Sequence, residues 1–200
     1  MPYLNFQFTQ DNLLLESIAK YIHLNSQEKQ YLLSLVKERR LRKRQYLLQE
    51  GDICKYTAFV VKGCLRSYFI SKNGTEHIFQ FAPEGWWTAD LQSFNSQNPS
   101  IMNIDALEES EVLLFSKADM EELYKKIPQY ERFSRIILEN AFVAHQDRIM
   151  QNICFSAADR YLSFCKKYPQ LIQRLPQTQI ASYLGVTPEF LSKLRKQITK

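Results

Sequence analysis

Four of the chain's five glycines, Gly51, Gly63, Gly74 and Gly85, fall in one stretch, spaced 12, 11 and 11 residues apart. Between and after them lie short runs rich in β-formers: Thr57–Lys62, Leu65–Ser71, Glu76–Phe81, Met102–Ala106 and Glu111–Phe115. Short strands at this spacing, joined by glycine turns, predict a β-barrel or jelly roll. Asn73-Gly74 is a hairpin signal between two of them. Such a roll can house a metal-dependent enzyme, but that chemistry needs several His and carboxylate ligands converging on one ion. The roll contains one histidine, His77, and His23 and His145 lie far from it in sequence. Neither G-x-S-x-G nor a phosphate loop of the G-x-x-x-x-G-K-[ST] type occurs. The expectation is a protein that is not an enzyme and holds no metal or cofactor.

The flanks read as helical. Residues 1–10 form a lead-in; Leu13–Leu24 and Ser26–Lys37 are predicted helices, with Ser26 as N-cap and Tyr31, Leu32, Leu35 and Val36 on an apolar face. The basic run Lys37–Arg44 reads as a solvated helix end and linker. Ser116 can cap a short helix through Tyr124. No Gly or Pro occurs between Pro128 and Pro169. Within that stretch Phe133, Ile136, Ile137, Ala141, Val143, Ala144, Met150 and Ile153 make a broad stripe on a helix of about 24 residues, near 36 Å long. Ser156 with Asp159 marks the start of a second helix running to Lys167. A helix this long exceeds what a small roll covers. Either it packs wholly within its own chain or, as favoured here, it forms a two-fold seam through Phe133, Ile136, Ile137, Asn140, Val143, Ala144 and Met150.

The C-terminus reads as two helices and a tight turn. Ile180, Ala181 and Leu184 share one face; Gly185 can take the left-handed conformation that ends a helix. Thr187 is a good N-cap and Pro188 suits the first helical position. Leu191, Leu194 and Ile198 continue a buried face, while Glu189, Ser192, Lys193 and Lys196 fall on the opposite one. This is the sequence shape of a DNA-binding helix-turn-helix, the competing reading being an ordinary helical hairpin. Charge favours DNA. Residues 159–200 carry eight Lys/Arg against Asp159 and Glu189, whereas the remaining residues carry 18 basic and 19 acidic side chains. A neutral body with a basic end is the footprint of a phosphate-binding module. Thr187, Pro188, Glu189, Ser192, Lys193, Arg195 and Lys196 are the candidate DNA-contacting residues.

With 45% hydrophobic and 24% charged residues, the chain has the make-up of a soluble globular protein. No apolar run reaches transmembrane length and no signal peptide is evident, so a cytoplasmic protein without membrane contact is expected. Cys54, Cys64, Cys154 and Cys165 form no C-x-x-C pair and read as small core hydrophobes.

Helices, glycine-punctuated roll, long helix and helix-turn-helix, in that order, resemble the bacterial Crp–Fnr superfamily of transcription regulators. The resemblance runs from about Leu24 to Ile198. It rests on Leu48-Gln-Glu-Gly-Asp52, Val60-Val-Lys-Gly-Cys-Leu65, Gly74 and Gly85, the glycine frame of the cyclic-nucleotide-binding roll, and on Ile180–Leu194. It implies an α+β fold: N-terminal helices and a cyclic-nucleotide-binding-like jelly roll over 1–127, a dimerisation helix over 128–154, and a helix-turn-helix domain over 155–200. It also implies double-stranded DNA, a second copy of the chain and RNA polymerase as partners.

The chain departs from the family in informative places. Members that bind cyclic nucleotides carry a Gly-Glu-Leu and Arg cassette, the Glu for the ribose and the Arg for the cyclic phosphate. Here Gly85 is followed by Trp86–Ile104, and no Arg or Lys lies between Lys72 and Lys117. A buried phosphate without a cation is costly, so cyclic AMP is not expected as effector. The family's oxygen sensors carry an N-terminal cysteine cluster, and no Cys precedes Cys54. Glu189 matches the family's base-contacting Glu; Lys193 and Pro188 stand where Arg is common, so a different base preference follows. The β-wing that many relatives carry after the recognition helix is not expected, because the chain stops soon after Ile198. Phe79, Phe81, Trp86, Trp87 and Leu91, together with Phe94, could line an apolar pocket, although plain core or surface packing is the favoured reading of the tryptophans and Phe94. A ligand- or partner-binding roll that does not touch DNA is the alternative function.

Overall fold

The computed structural model describes residues 13–198, so the predicted lead-in over 1–10 lies outside it. Residues 13–19 are helical (α1), and α2 spans Ser26–Leu35. The cap of α2 is Asn25 rather than Ser26. Asn25 Oδ1 accepts from Glu28 N at 2.9 Å and Glu28 Oε2 accepts from Asn25 N at 2.8 Å. Two orphan donors are thereby satisfied where a Ser26 cap would satisfy one.

The basic run is a strand, not a helix end. β1 (Lys37–Leu41) pairs antiparallel with β8 (Ser110–Ser116) and places Arg40 opposite Glu111. That pairing buries Leu41 and leaves a charged strand at the sheet edge, which discourages pairing with another chain. Between them lie β2 (Tyr46–Leu48), β3 (Tyr56–Lys62), β4 (Leu65–Ile70), β5 (Glu76–Ala82), β6 (Trp87–Thr88), α3 (Leu91–Ser96) and β7 (Asn103–Ala106). They form two four-stranded sheets, ordered β1-β8-β3-β6 and β2-β7-β4-β5. The five predicted strands are β3, β4, β5, β7 and β8, each within a residue or two of its expected bounds. Gly63 turns β3 into β4 at φ +87°, its N–H bonded to Glu84 Oε1 at 2.8 Å.

Helices follow: α4 (Lys117–Lys126), α5 (Pro128–Cys154), α6 (Ala157–Lys167), α7 (Leu171–Arg174), α8 (Gln177–Leu184) and α9 (Pro188–Ile198). Ser116 and Ser156 cap α4 and α6 as expected, each accepting from the backbone N–H three residues on at 3.2 Å.

Two compact units result. The first comprises the chain up to Ser67 with Phe81–Glu139; the second comprises Tyr68–Gln80 with the chain from Asn140 on. In the first, Leu14, Ile18, Leu32, Phe59, Leu113, Phe115, Tyr130 and Phe133 form one core. Phe133, expected on the seam, is only 2% exposed and packs on Tyr130, with ring centroids 5.3 Å apart, because the start of α5 already lies on this core. In the second, Tyr161, Phe164, Tyr168, Leu171, Ile180, Ala181, Leu184, Leu191 and Leu194 are buried. Cys54 and Cys64 are buried as expected; Cys154 is exposed at the end of α5.

Candidate nucleic-acid interface

The α8–α9 pair is built from its caps outward. Gly185 ends α8 at φ +67°, and Val186 N donates to Ala181 O at 3.0 Å, closing the left-handed C-terminal turn. Thr187 Oγ1 then accepts from Phe190 N at 3.2 Å, and Pro188 is the first residue of α9. The buried faces meet as the sequence spacing predicts, with Ile180, Ala181 and Leu184 on α8 and Leu191 and Leu194 on α9. Ile198 departs from the expectation at 40% exposed. With eight residues α8 is about 12 Å long and eleven-residue α9 about 16 Å, so the last turn of α9 outruns its partner.

The opposite face of α9 is open. Glu189, Lys193 and Lys196 are exposed, while Ser192 and Arg195 are half-buried. An acceptor, a hydroxyl and cations thus line one side of a helix whose other side is anchored. Such a side can offer an acceptor to a base amino group and cations to guanine edges or phosphates.

The expected seam residues divide. Ile136, Val143 and Met150 recur every seven residues on α5; Val143 and Met150 are exposed, Ile136 and Ala144 half-buried, and Asn140 exposed. Ile137 packs against the first unit's core beside Phe133. The sequence reading missed Leu138, Phe142 and Ile149, which are exposed beside Ile153. Their spacing of 4, 7 and 4 residues was the available signal. Phe142 is 63% and Ile153 72% exposed, large values for side chains of this size.

The five candidate pocket residues differ in exposure and packing. Phe81 is fully buried, and Trp87 packs between Phe59 at 5.2 Å and Phe115 at 5.4 Å between centroids, the packing role. Trp86 is half-buried and Leu91 exposed; Phe79 belongs to the second unit and stacks on His145. A cavity of about 290 Å³ in the roll is lined by residues such as Asp52, Ile53, Lys55 and Tyr56 and by none of these five.

In the segment Trp86–Ile104 a carboxylate stands at the N-terminus of α3. A helix N-terminus is a natural phosphate seat, but that of α3 is filled by a carboxylate of the chain itself. Buried Asp90 accepts from Gln92 N at 3.0 Å and Ser93 N at 3.1 Å through Oδ1, and from Ser100 Oγ at 2.6 Å through Oδ2. A phosphate at this helix end would meet the Asp90 carboxylate. Buried Arg66 is committed elsewhere, its Nε and Nη2 paired with Asp105 at 2.8 and 3.0 Å. Among the described residues no group of three or more His, Cys, Asp or Glu is placed to hold a metal ion, and no helix is long and apolar enough to cross a membrane.

A two-sheet roll followed by a long helix and a capped helix pair is the architecture of a known class. Residues 38–127 match the cyclic nucleotide-binding domain family. The chain is similar to the anaerobic regulatory protein of Pasteurella multocida, 27% identical over 88% of this chain and 68% of that protein. It is likewise similar to the fumarate and nitrate reduction regulatory protein of Yersinia pestis, 27% identical over 88% of this chain and 75% of that protein. Among solved structures it shares the fold of FixK2 from Bradyrhizobium japonicum, with a TM-score of 0.70 at 21% identity over 82% of this chain and 84% of that one. The Thermus thermophilus catabolite activator protein matches with a TM-score of 0.56 at 18% identity, covering 88% and 84% of the two chains. The chain is thus similar to regulators of the Crp–Fnr superfamily.

Proposed function

We propose that the protein is a dimeric transcription regulator whose α8–α9 helix-turn-helix reads double-stranded DNA with α9. The observation that carries this is the two-sided α9, with Leu191 and Leu194 buried behind exposed Glu189, Lys193 and Lys196. The relatives' names as regulatory proteins support it. Thr187 and Pro188 hold the N-terminus of α9, whose side chains reach base edges first. Glu189 accepts from a cytosine amino group. Ser192 bonds a base edge or a phosphate, and Lys193 reaches a guanine edge or a phosphate. Arg195 and Lys196 meet phosphates. The exposed apolar side of α5, around Val143 and Met150, pairs two copies so that two reading helices meet two half-sites. In this organisation the domain up to residue 127 combines N-terminal helices with a sensor-like roll independent of cyclic nucleotides, 128–154 is the dimer helix and 155–200 the DNA-binding domain. The protein acts in the cytoplasm beside RNA polymerase.

Binding selection on randomised duplexes tests the reading. Glu189→Ala is expected to relax preference at one position per half-site, worth about 1–3 kcal/mol there. Lys196→Ala is expected to weaken all sequences alike and reduce the salt slope by about one unit. Identical motifs and stringency for wild type and Glu189→Ala would refute base reading by this face.

A further inference from the structure

β5 is the edge strand of the sheet β2-β7-β4-β5. An edge strand presents unpaired N–H and C=O groups. Those of Glu76 and Ile78, two residues apart and so pointing the same way, are taken by side chains of the C-terminal helices. Ser182 of α8 donates its hydroxyl to Glu76 O at 2.6 Å and accepts from Ile78 N at 3.2 Å. Arg148 of α5 donates through Nη2 to Ile78 O at 2.7 Å and to Tyr183 O at 3.0 Å, and through Nη1 to Phe79 O. Its guanidinium carbon stands 4.0 Å from the centroid of the Tyr183 ring. One turn earlier on α5, His145 stacks on Phe79 with centroids 4.8 Å apart and planes 20° apart. All of these residues lie in the second unit.

We propose that Ser182 and Arg148 are positioning residues for DNA binding, holding α8, and through it α9, in the orientation that engages an operator. The proposal rests on the DNA reading above. A dimer that contacts two half-sites needs its two reading helices at a fixed spacing, so freedom of α8 about the end of α5 subtracts directly from affinity. Two side chains remove that freedom. Arg148 suits the task where Lys does not: its planar fork reaches three carbonyls at once while its face lies on Tyr183. Ser182 works like one more residue of a neighbouring strand, supplying a donor and an acceptor to the β5 edge. When either is lost, only a fraction of molecules holds the binding orientation, and the apparent Kd rises by the inverse of that fraction.

The variants Ser182→Ala, Ser182→Thr and Arg148→Lys in the full chain test this. If the binding-ready fraction falls to about one tenth, Ser182→Ala weakens operator binding about tenfold, with selected motif and salt slope unchanged. Ser182→Thr, which keeps the hydroxyl, restores binding. In Ser182→Ala the Ile78 amide exchanges faster than in wild type; Arg148→Lys weakens binding in the same sense. Wild-type affinity in Ser182→Ala, or an unchanged Ile78 exchange rate, overturns the proposal. So does a salt slope lowered by about one unit in Arg148→Gln, which would make Arg148 a phosphate contact. Ser182→Ala removes only one half-buried hydroxyl of α8 and decides the question even where an Arg148 variant fails to fold. If wild type binds no duplex at all, the DNA reading fails, and the Ile78 exchange rate still reports whether Ser182 holds the strand.

Discussion

Replacing Gly63 by alanine puts a methyl group where the backbone leaves no room for one. The added Cβ would lie 2.3 Å from Ser110 Oγ, 2.6 Å from Glu109 O and 2.8 Å from Ser110 Cα. The hydroxyl could rotate away, but the other two atoms are backbone at the start of β8. Holding φ +87° with a side chain costs about 1–2 kcal/mol. Overpacking against an immovable backbone adds about 1–3 kcal/mol. Gly63→Ala is therefore expected to destabilise the roll by about 2–5 kcal/mol. Gly51→Ala, in the same unit, is the control: φ is +92° but nothing lies within 4 Å of the added methyl, so only the conformational cost of about 1–2 kcal/mol applies. Urea unfolding followed by fluorescence is the assay, since both tryptophans, Trp86 and Trp87, belong to the first unit. With a slope of about 2 kcal/mol per molar, Gly63→Ala shifts the midpoint by about 1–2.5 M. Adding Ser110→Gly removes one of the three clashes and should recover only part of the loss. A Gly63→Ala shift no larger than that of Gly51→Ala, or full recovery in the double variant, would refute the backbone clash.

Three other outcomes follow from the same geometry. Calorimetry with cyclic AMP or cyclic GMP is expected to give no saturable heat at micromolar concentrations, because Asp90 fills the N-terminus of α3; binding lost on mutating Trp86–Ile104 would contradict this. In the proposed dimer Val143→Glu places like charges beside the two-fold axis, and it is expected to yield monomers in sedimentation, with operator affinity falling alongside; a wild-type monomer at micromolar concentration would remove the premise. Burial first, then the charges of Arg148 and Lys167, lower the His145 pKa from its ordinary value. The unfolded chain then binds the proton more tightly than the folded one, so the second unit keeps its full stability above about pH 6.5 and loses it as pH falls toward the folded value. His145→Gln should flatten that slope in acid unfolding followed by circular dichroism.

Which parts of this protein announce themselves in sequence follows from the range of the interactions behind them. Ser116, Ser156 and Thr187 are caps whose partners stand three residues away, so spacing alone finds them. The strands β3, β4 and β5 carry their signal in β-branched and aromatic runs between glycines. Lys37–Leu41 misleads because its cations belong equally to a solvated helix end and to an edge strand. What decides between them is Glu111, opposite Arg40 and 71 residues on. Phe133 misleads for a related reason. A helical apolar stripe says that a face is covered, not by what, and the first turns of α5 spend theirs on the roll while Val143 and Met150 do not.

The groups with the most specific geometry left the least trace. Asp90 is one of 21 acidic residues, and its place on the N–H groups of α3 depends on a six-residue helix that no periodicity marks. Ser182 reads as a tolerated polar residue in a short helix, and Arg148 as one more cation on a long one. Their partners are the backbone groups of Glu76, Ile78 and Phe79, about seventy to a hundred residues away. An ion pair leaves a complementary side chain for a reader of sequence to find. A carbonyl is offered by every residue, so an arginine that binds three of them leaves no compositional mark. The missing signal is thus a property of the interaction itself: side chain to backbone across the fold is specific in space and anonymous in sequence.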